Sequence, residues 1–131
     1  MSRRELREHI FRLLFRAEFF GREEMDEQGQ LYAMHLAEPE GVDAEYMLEK
    51  VKHIIEKLEE LDGKVNDVAT GWRTGRMGKV DLTIIRLALF EMLYDDEVPT
   101  GVAINEAVEL AKRYGSDESP SFVNGILAKL A

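Results

Sequence analysis

Residues 81–94 read DLTIIRLALFEMLY. After Asp81 the apolar side chains fall on nearly every side of a helical wheel, interrupted only by Thr83, Arg86 and Glu91. A helix of that kind has no solvent face, so it belongs at the centre of a helical bundle. Asp81 stands where an N-cap is wanted. What lies around it should be amphipathic helices with apolar stripes turned towards it.

The rest of the chain supplies them, with helical periodicity almost throughout and no convincing alternating strand. A first helix is expected over about 3–20, closed by Gly21 as a C′ glycine. A second should cover about 27–37 and stop before Pro39. Asp43 can cap a third, which carries Tyr46, Met47, Val51, Ile54, Ile55, Leu58 and Leu61 at helical spacing. A short fourth follows over about 61–68. Downstream of the central segment, VAINEAVELAKRYG (102–115) places Ala103, Ala107, Leu110, Ala111 and Tyr114 on one face and ends on Gly115. Ser119 as cap with Pro120 in the first turn starts the last helix, whose stripe is Phe122, Val123, Ile126, Leu127 and Leu130. That makes seven helices. TGWRTGRMG (70–78) is a glycine-punctuated joint, so the expected division is 1–72 and 79–131 with the joint at 73–78. Trp72 is either a core aromatic or a wedge between the halves.

Composition narrows the function. The chain has 131 residues, no cysteine and a formal net charge of −9. Disulfides and thiolate metal sites are excluded. No apolar run approaches the roughly 20 residues of a membrane span, and no signal-type apolar core follows the basic start, so a cytoplasmic location is expected. Charge is unevenly spread. Residues 1–16 hold Arg3, Arg4, Arg7, Arg12 and Arg16 against Glu5 and Glu8, a local +3 on a remainder of −12. A basic patch on an acidic body can bind a polyanion without indiscriminate coating.

Tests for catalysis find little. His9, His35 and His53 are scattered. Glu49, His53 and Glu56 share one helix face, but a di-iron bundle needs two Glu-x-x-His units, and here the order is reversed with no second copy. GWRTGRMGK (71–79) fails the phosphate-loop pattern, because Arg73 stands where a glycine is needed and Val80 where a hydroxyl is needed. Neither an enzyme nor a cofactor is expected. Arg73, Arg76 and Lys79, in a stretch without acids over 70–80, either extend a basic surface or form a solvated linker.

On the first helix, Leu6, Ile10, Leu13, Leu14, Ala17 and Phe20 gather on one arc as a core stripe. Phe11, Phe15 and Phe19 form a second line at i, i+4 and i+8, flanked by Arg4, Arg7 and Arg12. Such rings either pack into the core or stack on unpaired bases, each base worth about 1–3 kcal/mol. Neighbouring guanidinium groups would neutralise phosphates and release counterions.

The C-terminal motifs are more specific. Val98-Pro99, VAINEAVELAK (102–112), Tyr114-Gly115 and FVNGIL (122–127) closely resemble the signature of the NusB family of transcription antitermination factors. IIRLALFEML (84–93) is similar to that family's buried central helix, and RRELREHIFRLLF (3–15) to its arginine-rich RNA-binding motif. The likeness is weakest over 21–71. It implies an all-α fold of seven helices in two packed small bundles. It implies binding of single-stranded boxA RNA in nascent ribosomal transcripts, as a heterodimer with the ribosomal protein NusE. NusA, NusG and RNA polymerase would join that complex.

By position, the resemblance carries RNA contact to Arg3, Arg4 and Arg7. Phe15 stands where the family commonly has tyrosine, so stacking is kept and a phenolic hydrogen bond lost. Phe122 matches an aromatic on the RNA surface, and Asp81 and Glu118 match acidic positions beside it. Arg12 and Arg76 extend the cationic set. Only Met1 and Ser2 precede Arg3, and Glu5 and Glu8 dilute the arginines, so weak binding alone and tighter binding with NusE are expected. Two other readings compete. One is a protein-only helical adaptor or homodimer. The other is the RNA-binding domain of an rRNA cytosine methyltransferase without its catalyst.

Overall fold

The computed structural model describes residues 1–71 and 73–131; Trp72, and with it the choice between core aromatic and wedge, lies outside the described residues. Seven α-helices account for most of them: α1 Arg3–Phe15, α2 Met25–Ala33, α3 Val42–Glu56, α4 Leu58–Val68, α5 Lys79–Tyr94, α6 Thr100–Tyr114 and α7 Ser119–Leu130. Single 3₁₀ turns cover Arg16–Glu18, Arg22–Glu24 and Thr74–Arg76. No strand occurs among the described residues, and none of their helices is long and apolar enough to cross a membrane.

The chain divides into two compact units, Met1–Glu56 and Lys57–Ala131, which places the boundary well upstream of the 73–78 joint. The reason is the packing of α4. Its buried Leu61 and Val65 belong to the core shared with α5 and α7. Arg86 of α5 grips Asp62 through two parallel hydrogen bonds, Nε to Oδ1 at 2.8 Å and Nη2 to Oδ2 at 2.6 Å. Bidentate geometry of this kind fixes direction as well as charge.

In the first unit, Ser2 caps α1 by accepting from the Glu5 N–H at 3.1 Å. Ile10, Phe11, Leu13 and Leu14 of α1 meet Ala44, Met47, Val51, Ile54 and Ile55 of α3 in the core. The expected C′ glycine is not used. The α-helix stops at Phe15, and the Arg16 carbonyl accepts from both Phe19 and Phe20 N–H groups. This satisfies the helix end by tightening it. Gly21 is left extended at φ −70°. α2 begins two residues early and ends at Ala33, its exit made by successive turns rather than by Pro39. Asp43 is not a cap: α3 starts one residue before it, and its carboxylate holds the Met1 ammonium at 3.0 Å. α3 stops short of Leu58 and Leu61, which belong to α4.

In the second unit, α5 is buried from Leu82 to Glu91 save for half-buried Arg86. It starts at Lys79, so Asp81 lies in its first turn and Gly78 takes the cap position. Ala103, Ala107 and Ala111 let α6 approach closely, and α5, α6 and α7 share one core. α7 starts at Ser119 with Glu118 as the N-cap residue, and the Ser119 hydroxyl accepts instead from the Ser116 N–H at 3.0 Å. Two glycines are required. Gly71 has φ +81°, a left-handed conformation. At Gly115, a Cβ would lie 2.5 Å from the Ser119 side chain and 2.8 Å from the Ala111 carbonyl.

Candidate nucleic-acid interface

Arg3 and Arg4 sit in the first turn of α1 and are exposed; Arg7, one turn on, is half-buried. Cations there oppose the helix macrodipole, which favours acids at the N-terminus. At an exposed helix end that repulsion is worth about 0.3–1 kcal/mol per charge.

Arg12 and Arg16 are held differently. Arg12 donates to Glu8 at 2.8 Å. Arg16 donates to Gln28 at 2.9 Å, and its guanidinium lies 5.2 Å from the centre of the Tyr32 ring. The Tyr32 hydroxyl is 2.7 Å from His9 Nδ1. Burial raises the pKa of that hydroxyl, while a hydrogen bond from Arg12 and the charges of Arg12 and Arg16 pull the other way. Tyr32 of α2 thus ties three side chains of the first helical stretch. The sequence carried no signal for it, since a single tyrosine on a mixed helix face has no visible partner.

The line of rings turns out graded. Phe11 is in the core at 3% exposure, Phe15 is half-buried, and Phe19 is 61% exposed. Their centroids are 6.2 Å and 5.3 Å apart, the second pair edge-to-face. Phe20, expected in the core stripe, is exposed, while Leu6 and Ala17 are half-buried. The wheel fails past residue 15 because the chain there no longer turns as an α-helix.

The other sequence-derived positions belong to the second unit. Arg76 is exposed in the turn over Thr74–Arg76, which the Asn66 carboxamide braces by accepting from the Thr74 N–H at 2.8 Å. Asp81 is half-buried, and its Oδ1 is buried without a hydrogen-bond partner among the described residues. Glu118 is exposed at the start of α7, and the Phe122 N–H donates to its carbonyl at 3.1 Å. Phe122 is half-buried beside fully buried Val123. It is therefore neither wholly core nor wholly presented. Glu49 and His53, 3.5 Å apart, form an exposed pair on α3.

A three-helix unit led by an arginine-bearing helix, followed by a four-helix unit around one apolar helix, defines an all-helical class with a cationic leading edge. The NusB family profile matches residues 4–131. Over 131 residues the chain is 51% identical to the transcription antitermination protein NusB of Agathobacter rectalis, covering all of both sequences. Its fold superposes on NusB of T. maritima with a TM-score of 0.86 at 33% identity, covering 100% of this chain and 91% of that one. A chain in the crystal structure of a plectonemic RNA supercoil also superposes, with TM-score 0.86 and 25% identity over 98% of this chain and 92% of that one. This chain belongs to the NusB family.

Proposed function

We propose that this protein acts without catalysis as a transcription antitermination factor, binding single-stranded boxA-type RNA in nascent ribosomal transcripts. The observation that carries the reading is the exposed Arg3 and Arg4 at a helix N-terminus, where the macrodipole disfavours them. Phosphate binding supplies the reason for cations there. Arg7 and Arg12 add charge along α1, and Phe15 with Phe19 offers ring faces to unpaired bases. In the second unit, Arg76 contributes a further cation and Phe122 a further ring. Asp81 and Glu118 repel phosphate, so their role is to accept from base amino groups or orient an arginine. The name and RNA setting of the relatives support the same reading. A NusE-type ribosomal protein is the proposed partner that tightens this binding, with NusA, NusG and RNA polymerase completing the assembly in the cytoplasm.

The test is fluorescence anisotropy with a boxA oligonucleotide and a scrambled control, across a salt series. Affinity should fall linearly on a log–log plot. Three neutralised phosphates give a slope of about −2 on single-stranded RNA. Adding the ribosomal partner should tighten binding to boxA more than to the control. Flat affinity across the salt series would contradict phosphate neutralisation.

A further inference from the structure

The first unit also carries a groove of opposite character. A cleft of about 650 Å³ runs between α1, α2 and α3, floored by Leu13, Leu48 and Val51. That volume lies within the range of clefts that take a small ligand. Gly29 brings α2 close over its floor: a Cβ there would lie 2.8 Å from the Leu48 side chain.

The rim is acidic. Asp26 and Glu27 line it from α2, Glu45 and Glu49 from α3, and Lys52 is the one cation among the described lining residues. All five are exposed. Among the described residues no cation engages Asp26, Glu27 or Glu45, and Glu49 has only the His53 imidazole. Like charges gathered around an apolar trough repel one another, and a cationic occupant relieves that repulsion while its apolar side covers the floor. Phosphate is excluded by the same charges, so this groove and the arginine end of α1 select opposite ligands.

We propose that the α1–α2–α3 groove is a docking site for a basic amphipathic segment of a partner protein, with an aliphatic anchor over Leu48 and lysine or arginine against the acidic rim. Charge complementarity decides the occupant, and the apolar floor between helices matches the mode in which an amphipathic helix lies in a groove. The site is independent of the RNA reading and uses none of its residues except through their common helix α1.

The probe is a short amphipathic leucine–lysine peptide, with its glutamate-for-lysine counterpart as control, titrated into the full-length protein and followed by amide NMR shifts. Shifts should concentrate on α2 and α3 along the groove and be absent with the glutamate peptide. The exposed double substitution Glu45→Gln/Glu49→Gln, which disturbs no core residue, should weaken the lysine peptide about fivefold, leave helical content unchanged and leave boxA affinity unchanged. Leu48→Ala should weaken it through the floor. Shifts scattered over the surface, equal binding of both peptides, or an unaffected double variant would overturn the proposal. So would concentration-dependent self-association that the double variant abolishes, since the groove would then hold a second copy.

Discussion

At the scale of single residues, two phenylalanines eight positions apart on the same line have opposite roles. Phe11 is packed in the first unit's core, whereas Phe19 is mostly in water. Phe11→Ala should cost about 3–5 kcal/mol in denaturant unfolding, the usual loss for a buried aromatic. Phe19→Ala should leave the unfolding midpoint nearly unchanged and weaken boxA binding about tenfold, the loss of one stacked base. The reverse pattern would assign the ring line to structure rather than recognition. Arg7 makes a separate test. Arg7→Ala should lower affinity for every RNA alike and make the salt slope shallower by about 0.7, one phosphate contact fewer. Spacing alone placed these rings on one line. It did not show which ring the fold covers, because that depends on where α1 stops and on what α3 brings against it.

At the scale of elements, contacts between helices carry more than caps do. Tyr32 links α2 to His9, Arg12 and Arg16. Its folded pKa is raised above the ordinary 10.0, chiefly by burial. The neutral phenol is therefore the form the fold prefers. Its contribution is fully present below pH 10 and is lost as pH rises through the raised value, because the unfolded state ionises first. Tyr94 acts in the same direction through its hydrogen bond to Glu60. Stability measured by urea unfolding should thus decline above pH 10. Tyr32→Phe should make that decline shallower, the remainder belonging to Tyr94 and to the Met1 ammonium, whose pKa the Asp43 carboxylate raises so that its contribution is likewise lost as pH rises. In the second unit the Arg86–Asp62 fork ties α5 to α4 at side-chain exposures of 12% and 22%. Asp62→Ala strands a largely buried guanidinium and should cost about 2 kcal/mol in the same measurement. A loss near zero would reduce the fork to a surface pair.

At the scale of the whole molecule, stability is unevenly distributed between and within the two units. α5 is enclosed for most of its length, so its amides from Ile84 to Glu91 should exchange most slowly of all. Hydrogen exchange followed by mass spectrometry checks this; faster exchange there than in α2 would contradict a core built on α5. The charge layout acts at this scale too, with +3 in residues 1–16 on a chain of −9. Residue order alone set the all-helical class and the number of helices, because the 3.6-residue period and an all-apolar segment are local properties that no tertiary contact needs to supply. It determined the cationic N-terminus for the same reason, and its C-terminal motifs carried the family. Packing settled the rest: α4 belongs with α5–α7, Phe11 is core while Phe19 is open, Tyr32 holds two of the five N-terminal arginines, and acids from α2 and α3 ring a groove. Each of these depends on side chains distant in sequence meeting in space. Periodicity tells which way a side chain points from its own helix but not what stands opposite.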